Sequence, residues 1–288
     1  SILNASREIV MMSKYGGGTS AYLGNIRPRG TDISTGGKAD GPVHYARMYD
    51  TTVDVCKQSE ARRGACAVYL PVEHNDIHEF LDIGTEGNPI QNLQYGITVT
   101  DDWMNSMKDG DKDKRKIWAK IIQRRSEFGF PYIMFKDTSN NNSPYKDLGL
   151  EITASNLCSE IQLPTDSYNS FVCCLGSINL LHWDEIQKTD AIEIYTLFLN
   201  AVMDEFILKS KTLPGLQRAH RFAEQHRAIG IGVLGYHSLF QSKLINFDSL
   251  ESKRLNNVIF RTIKELSENA SKWLSEYKGY SCLRETIG

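Results

Sequence analysis

Asn156-Leu157-Cys158-Ser159-Glu160 and Phe171-Val172-Cys173-Cys174-Leu175-Gly176-Ser177-Ile178-Asn179-Leu180 are the two stretches on which the fold of this chain is read. In the first, three chemically capable side chains alternate with two others. An extended backbone sends residues 156, 158 and 160 to one side, so one face would carry an amide, a thiol and a carboxylate. The amide donates and accepts hydrogen bonds, and the carboxylate accepts a proton. The thiol supports one- or two-electron sulfur chemistry. Taken alone, the pentapeptide reads more simply as a strand with a buried Cys, which usually behaves as a small apolar residue. The second stretch, with its own cysteines leading a strand-like run, moves the reading towards chemistry.

Together the two stretches resemble the large catalytic subunit of class I ribonucleotide reductase. That family carries Asn-x-Cys-x-Glu on a loop reaching into a barrel, then a Cys followed by a Leu-Gly-Ser-Ile-Asn-Leu-like strand. Residues 155–161 and 173–180 match both in the right order. The resemblance runs the length of the chain and implies an α/β fold: part of a ten-stranded α/β barrel with parallel strands, helices outside and a central loop bearing the catalytic Cys. On this reading residues 1–288 form a single partial barrel domain. Residues 1–100 include an effector-specificity region, and residues 150–182 hold the catalytic loop and following strand.

Composition agrees with a soluble globular protein. The 288 residues are 41% hydrophobic and 24% charged with a formal net charge of −2, so no basic field points to nucleic acid. No apolar run reaches membrane-spanning length and no secretory signal is visible. The six cysteines, at 56, 66, 158, 173, 174 and 282, contain no Cys-x-x-Cys and do not suggest a disulfide scaffold. A cytoplasmic protein with reduced thiols is expected. Adjacent Cys173 and Cys174 are poorly placed to bond to each other.

Along the chain, periodicity predicts helices over 1–13, 42–56, 74–81, 101–108, 117–128, within 184–208, and over 249–277. Strands are expected over 22–26, 65–71, 92–99, 132–135 and 173–180, the 65–71 run being continuous and apolar, stopped by Pro71 as in a buried parallel strand. Asp101 is the expected N-cap of its helix, and 137–144 reads as a loop. Strands alternating with helices argue for a parallel α/β sheet. His74 and His78 have helical metal-ligand spacing but no third ligand, so no metal is assigned. Gly230, Gly232 and Gly235 meet the spacing Gly-x-Gly-x-x-Gly, an accidental match without the strand-turn-helix unit and following acid of a dinucleotide site. In Arg227-Ala228-Ile229-Gly230-Ile231-Gly232-Val233, which resembles a further signature of the family, alternate glycines let a strand lie close to a neighbour.

The resemblance assigns roles residue by residue. Cys158 is the thiyl-radical residue, Glu160 the general base, Asn156 a hydrogen-bond partner of substrate, and Cys173 one redox cysteine. Ser155 and Gly17 match substrate-binding positions. Gly16 to Gly18 is either a plain turn or a phosphate cradle. Arg27, Cys56, Gln58 and Arg62 match effector-binding positions, with Arg27 or Arg29 able to meet a phosphate as a guanidinium fork. The family implies no cofactor in this chain. A small metal-containing subunit supplies the radical, deoxynucleoside triphosphates or ATP act as effectors, and thioredoxin or glutaredoxin is the reductant. It also implies a nucleotide substrate and a homodimer of the complete large subunit, with neither nucleic-acid nor membrane partners.

Several family features are absent: the other redox cysteine upstream, the downstream phosphate-binding segment, the radical-relay tyrosines and the C-terminal cysteine pair. An internal fragment or one piece of a split gene product, inactive alone, is expected. Two alternatives stand beside this reading. One is a cobalamin-dependent reductase, and the other a nucleotide-binding split half without catalysis. Cys174 would be turned by a strand to the face opposite Cys173.

Overall fold

The structure, a computed structural model, describes residues 2–56, 59 and 63–279. These fall into two compact units, Ser1–Tyr168 with Pro214–Leu216, and Asn169–Leu213 with Gln217–Gly288.

The first unit is built on four parallel strands in the order β1 (Thr19–Tyr22), β2 (Cys66–Pro71), β3 (Gln94–Val99), β4 (Tyr132–Phe135). Its helices are α1 (Ile2–Lys14), α2 (Pro42–Val55), α3 (Ile77–Phe80), α4 (Asp101–Lys108), α5 (Lys112–Phe128) and α6 (Lys136–Asn141). Strand alternation divides the sheet into two faces. Cys66, Val68 and Leu70 of β2 and Tyr95, Ile97 and Val99 of β3 enter a large core with Val43, Tyr49 and Val53 of α2, Phe80 of α3, Trp103 of α4 and Ile121 of α5. Each such buried side chain contributes roughly 1.5–3 kcal/mol. Ala67 and Tyr69 face the other way, into a small cluster with Ala154, Tyr22, Tyr132 and Leu157. That second face positions the candidate site.

Local chemistry sets most boundaries. Proline opens α2, where its missing N–H costs nothing. Asp111 caps α5 by accepting from the N–H groups of Asp113 and Lys114, and Gly129 closes it at φ 78°. α5 therefore begins five residues before the expected 117, its first turn formed by charged residues. The N-cap of α4 is Thr100, whose hydroxyl accepts from the Trp103 N–H, not Asp101, which lies inside the helix. β1 sits earlier than the expected 22–26, because its ladder partner Cys66–Tyr69 pairs with Thr19–Tyr22. The expected loop at 137–144 begins as helix α6. Asn140 stabilises it, donating to the Lys136 and Ile152 carbonyls while accepting from the Ile152 N–H.

In the second unit β5 (Cys174–Asn179) and β6 (Ile229–Leu234) pair in parallel. They pack with α7 (Trp183–Ile186), α8 (Ala191–Ser210), α9 (Gln217–His226), α10 (Tyr236–Ser242) and α11 (Leu250–Lys278). Their core gathers Ile178, Leu180, Trp183, Ile192, Leu239, Ile259 and Ile263. Ser249 caps the long α11 through the Ser252 N–H. Gly230 and Gly232 lie inside β6 rather than in a turn, across from Leu175 and Ser177, so the dinucleotide-like spacing has no nucleotide-binding geometry. The protein is thus α/β, a part of a barrel with parallel strands and helices, and neither sheet closes on itself. Among the described residues no helix is long and apolar enough to cross a membrane.

Candidate active site

Residues 152–160, downstream of β4 and α6, cross the second face of the first sheet. Ala154 and Leu157 anchor this segment among Tyr22, Ala67, Tyr69 and Tyr132. Gly18 makes room: a Cβ there would come within 2.5 Å of Leu157 Cδ2. The fully buried Tyr69 donates from its phenol to the Asn156 carbonyl at 2.7 Å. Ser155, 2% exposed, donates to the Ile161 carbonyl at 2.7 Å and closes the base of the loop.

Beyond these anchors the chain turns. Asn156 Oδ1 accepts from the Cys158 N–H at 2.9 Å, the Ser159 N–H donates to the Asn156 carbonyl, and the Glu160 N–H donates to the Cys158 carbonyl. Ser159 takes φ 60°, a left-handed conformation uncommon for a residue with a Cβ. The pentapeptide is therefore a tight turn and not the extended segment that alternation suggested. An Asn side chain that bonds the backbone two residues on favours such a turn over a strand. Cys158 stands exposed at its tip and Glu160 is also exposed.

Cys158 and Glu160 both act on the phenols beneath the loop. Burial raises the Tyr132 phenol above its ordinary range, and Cys158 and Glu160, when ionised, push it further up. Burial raises Tyr69 more strongly. The Ser155 side chain pulls it back, and Cys158 and Glu160 again push upward. Tyr132 donates to Gln94 Oε1 at 2.9 Å. A thiol and a carboxylate thus share a surface of phenols and an amide, an arrangement able to hold a polar substrate beside sulfur. Sequence reasoning missed Tyr69, Tyr132 and Gln94, because phenols inside apolar strand runs read as core.

Cys173 precedes β5 in the second unit and is half-buried. Cys174 turns onto α8, its thiol 3.5 Å from the Leu199 carbonyl, while Leu175 and Ser177 are exposed on the opposite face.

Several of the other expected site residues make bonds of their own. Gly16 and Gly17 end α1 in a Schellman motif: the Gly17 N–H donates to the Met12 carbonyl and the Gly16 N–H to that of Ser13. Those two donors are therefore not available as a phosphate cradle, and the glycine run is a helix cap. Arg29 forms a two-pronged pair with Glu79 at 2.7 and 3.0 Å, whereas Arg27 makes a long 3.4 Å contact to the Asp32 carbonyl. Of the two arginines Arg27 has the less committed fork. Cys56 caps α2, its N–H donating to the Thr52 carbonyl. Gln58 and Arg62 lie outside the described residues. His74 has both ring nitrogens engaged, Nε2 with the Ile26 carbonyl and Nδ1 with the Asp76 N–H. Among the described residues no three His, Cys, Asp or Glu side chains gather as a metal site would require.

Comparison with known proteins gives a consistent result. The family described as ribonucleotide reductase, barrel domain, matches residues 1–115 and 111–283. A putative ribonucleoside-diphosphate reductase large subunit of Frog virus 3 is 31% identical over 301 residues, covering 96% of this chain and 52% of the relative. A vitamin B12-dependent ribonucleoside-diphosphate reductase of Thermoplasma acidophilum is 29% identical, covering 96% of this chain and 38% of its own length. Among solved structures, the Actinobacillus ureae class Id ribonucleotide reductase alpha subunit is similar with a TM-score of 0.92 and 49% identity, over 100% of this chain and 54% of that one. The chain spans about half the length of these relatives or less.

Proposed function

The chain belongs to the ribonucleotide reductase family through its barrel domain, and from that premise we propose that it is the part of a ribonucleoside-diphosphate reductase large subunit that carries the thiyl-forming Cys158. The observation that carries the reading is the turn itself, which lifts one sulfur clear of the sheet with an acid two residues away. A small metal-containing subunit would supply the oxidising equivalent that converts the Cys158 thiol to a thiyl radical. Cys158 then takes the 3′ hydrogen of the ribose while Glu160 accepts the 3′-hydroxyl proton. The 2′-hydroxyl leaves as water after protonation. The two electrons come from a pair of thiols that ends as a disulfide, Cys173 being one of them. Asn156 stabilises the developing carbonyl oxygen. That contact runs through the amide NH2, the donor of the side chain, while Oδ1 accepts from the Cys158 N–H.

Arg27 serves an effector triphosphate as a guanidinium fork, together with Cys56, Gln58 and Arg62. Ser155 and Gly17 act on substrate by shaping the loop and the turn before β1. The complete subunit works as a dimer on a nucleotide substrate, with thioredoxin or glutaredoxin as reductant. A class I enzyme is favoured over a cobalamin-dependent one by the 49% identity to a class Id alpha subunit, against 29% to the B12-dependent relative from Thermoplasma acidophilum. In the complete large subunit, Cys158→Ser is expected to abolish nucleotide reduction while triphosphate effector binding, read by equilibrium dialysis, stays at the wild-type level. Persistent reduction by that variant would exclude the thiyl role.

A further inference from the structure

We propose that Tyr69 is a positioning residue for Cys158, acting through its hydrogen bond to the Asn156 carbonyl; this rests on the catalytic reading of Cys158 given above. Several contacts hold the turn to the sheet. Leu157 supplies packing and Ser155 closes the loop's base, and the Tyr69 phenol is a polar contact from the sheet to the residue whose side chain forms the turn. Asn156 accepts three hydrogen bonds, its carbonyl from Tyr69 and the Ser159 N–H and its Oδ1 from the Cys158 N–H. Fixing that carbonyl therefore fixes the Asn156–Leu157 peptide, one residue ahead of Cys158.

The sheet is shaped to hold this ring. Tyr69 is fully buried between strands, and across the ladder it pairs with Gly96. A Cβ at Gly96 would stand 2.8 Å from Tyr69 Cδ1 and closer still to Cε1. The missing side chain is thus the space the phenol ring occupies. A ring confined in this way presents its hydroxyl at one place. Tyr132, on the same floor, spends its own hydroxyl on Gln94 instead of the loop.

Tyr69→Phe keeps the ring and its packing and removes only the hydroxyl. Loss of one such bond shifts the ratio of released to held turn by about tenfold, a shift shared between the two populations. In the complete large subunit with its radical-generating partner, Tyr69→Phe is expected to lower kcat about threefold with substrate KM and melting temperature unchanged. Alkylation of Cys158 by iodoacetamide, mapped by mass spectrometry, is expected to quicken about threefold. Tyr132→Phe should leave the Cys158 alkylation rate at the wild-type value. The proposal is overturned if Tyr69→Phe keeps wild-type kcat and labelling. It is equally overturned if Tyr132→Phe raises labelling as much, or if kcat falls only together with the melting temperature. The labelling arm reports the turn whatever chemistry Cys158 performs, so a failure of the thiyl role and a failure of the positioning role remain distinguishable.

Discussion

Asp50 on α2 fastens the approach to β3, and its removal should loosen the sheet that carries the site. The carboxylate is 7% exposed. Its Oδ1 accepts from the N–H groups of Gln91 at 3.1 Å and Asn92 at 2.7 Å, and its Oδ2 accepts from Asn92 Nδ2 at 3.1 Å. Asp50→Ala strands two backbone donors, while the Asn92 side chain can turn towards water. A buried donor left without its acceptor costs about 1–3 kcal/mol; with both donors only partly buried, we expect a total of about 2–4 kcal/mol. Since about 1.4 kcal/mol is a factor of ten, amide hydrogen exchange across Gln94–Val99 should quicken by roughly 30- to 700-fold. Asp50→Asn keeps an oxygen for the two backbone donors but sets an NH2 against Asn92 Nδ2, and should fall between wild type and Ala. Exchange in Asp50→Ala within threefold of wild type, or Asn behaving as badly as Ala, would refute the reasoning.

Two further outcomes test the packing and the charges. Gly18→Ala should displace Leu157, whose Cδ2 lies 2.5 Å from the added Cβ, at about 1–3 kcal/mol in urea denaturation, and adding Leu157→Ala should recover part of that loss; a double variant no better than the sum of the singles would show that the two do not meet. In the second unit, burial works to raise the Asp204 carboxyl, but its hydrogen-bonded ion pairs with Lys278 and Arg227 prevail and hold it below the usual carboxylate range. A group depressed on folding stabilises above its unfolded pKa, about 3.9 for Asp, and loses that contribution as pH falls through the lower folded value. Asp204→Asn should therefore be less stable than wild type at pH 7, the gap narrowing below about pH 4; a gap that widens on acidification would contradict the assignment.

How much of this was legible in the sequence varies with the range of the interaction that decides each feature. Helix α2, strand β2 and strand β4 were readable to within a residue, because Pro42, Pro71 and short β-rich runs act locally. Helix α6 was not, because its Asn- and Ser-rich sequence favours turns. It forms through bonds from Asn140 to Ile152, twelve residues away. The loop bearing Cys158 was legible as a motif, but its shape was not. Alternation in Asn156–Glu160 suggests a strand, whereas the Asn156 side chain and the left-handed Ser159 make a turn. Tyr69 was invisible because a continuous apolar run carries no sign of which face will meet a loop. The glycines at 16–18 were ambiguous between cap and cradle until the acceptors of their N–H groups were known.

The adjacent cysteines show how backbone parity separates structure from chemistry. A thiolate, not a thiol, is the reactive species, and apolar burial suppresses it. Cys66, on the helix-covered face of β2, has its thiol pushed up to about 12 by burial, against a small opposing pull from Thr19. Cys174 is likewise raised by burial and turned onto the Leu199 carbonyl of α8. Gly176, two residues on, faces the same helix, where an added Cβ would lie 2.7 Å from Tyr195 Cζ. This face of β5 packs towards α8, and Cys174 lies within it. Alternation then places Leu175 and Ser177 on the opposite face, with Cys173, one residue ahead of the strand, in line with them. Gly230 and Gly232 keep that face low beside them. Of two neighbouring thiols with the same intrinsic reactivity, the fold has made Cys174 a packing residue, which accords with the redox role proposed above for Cys173.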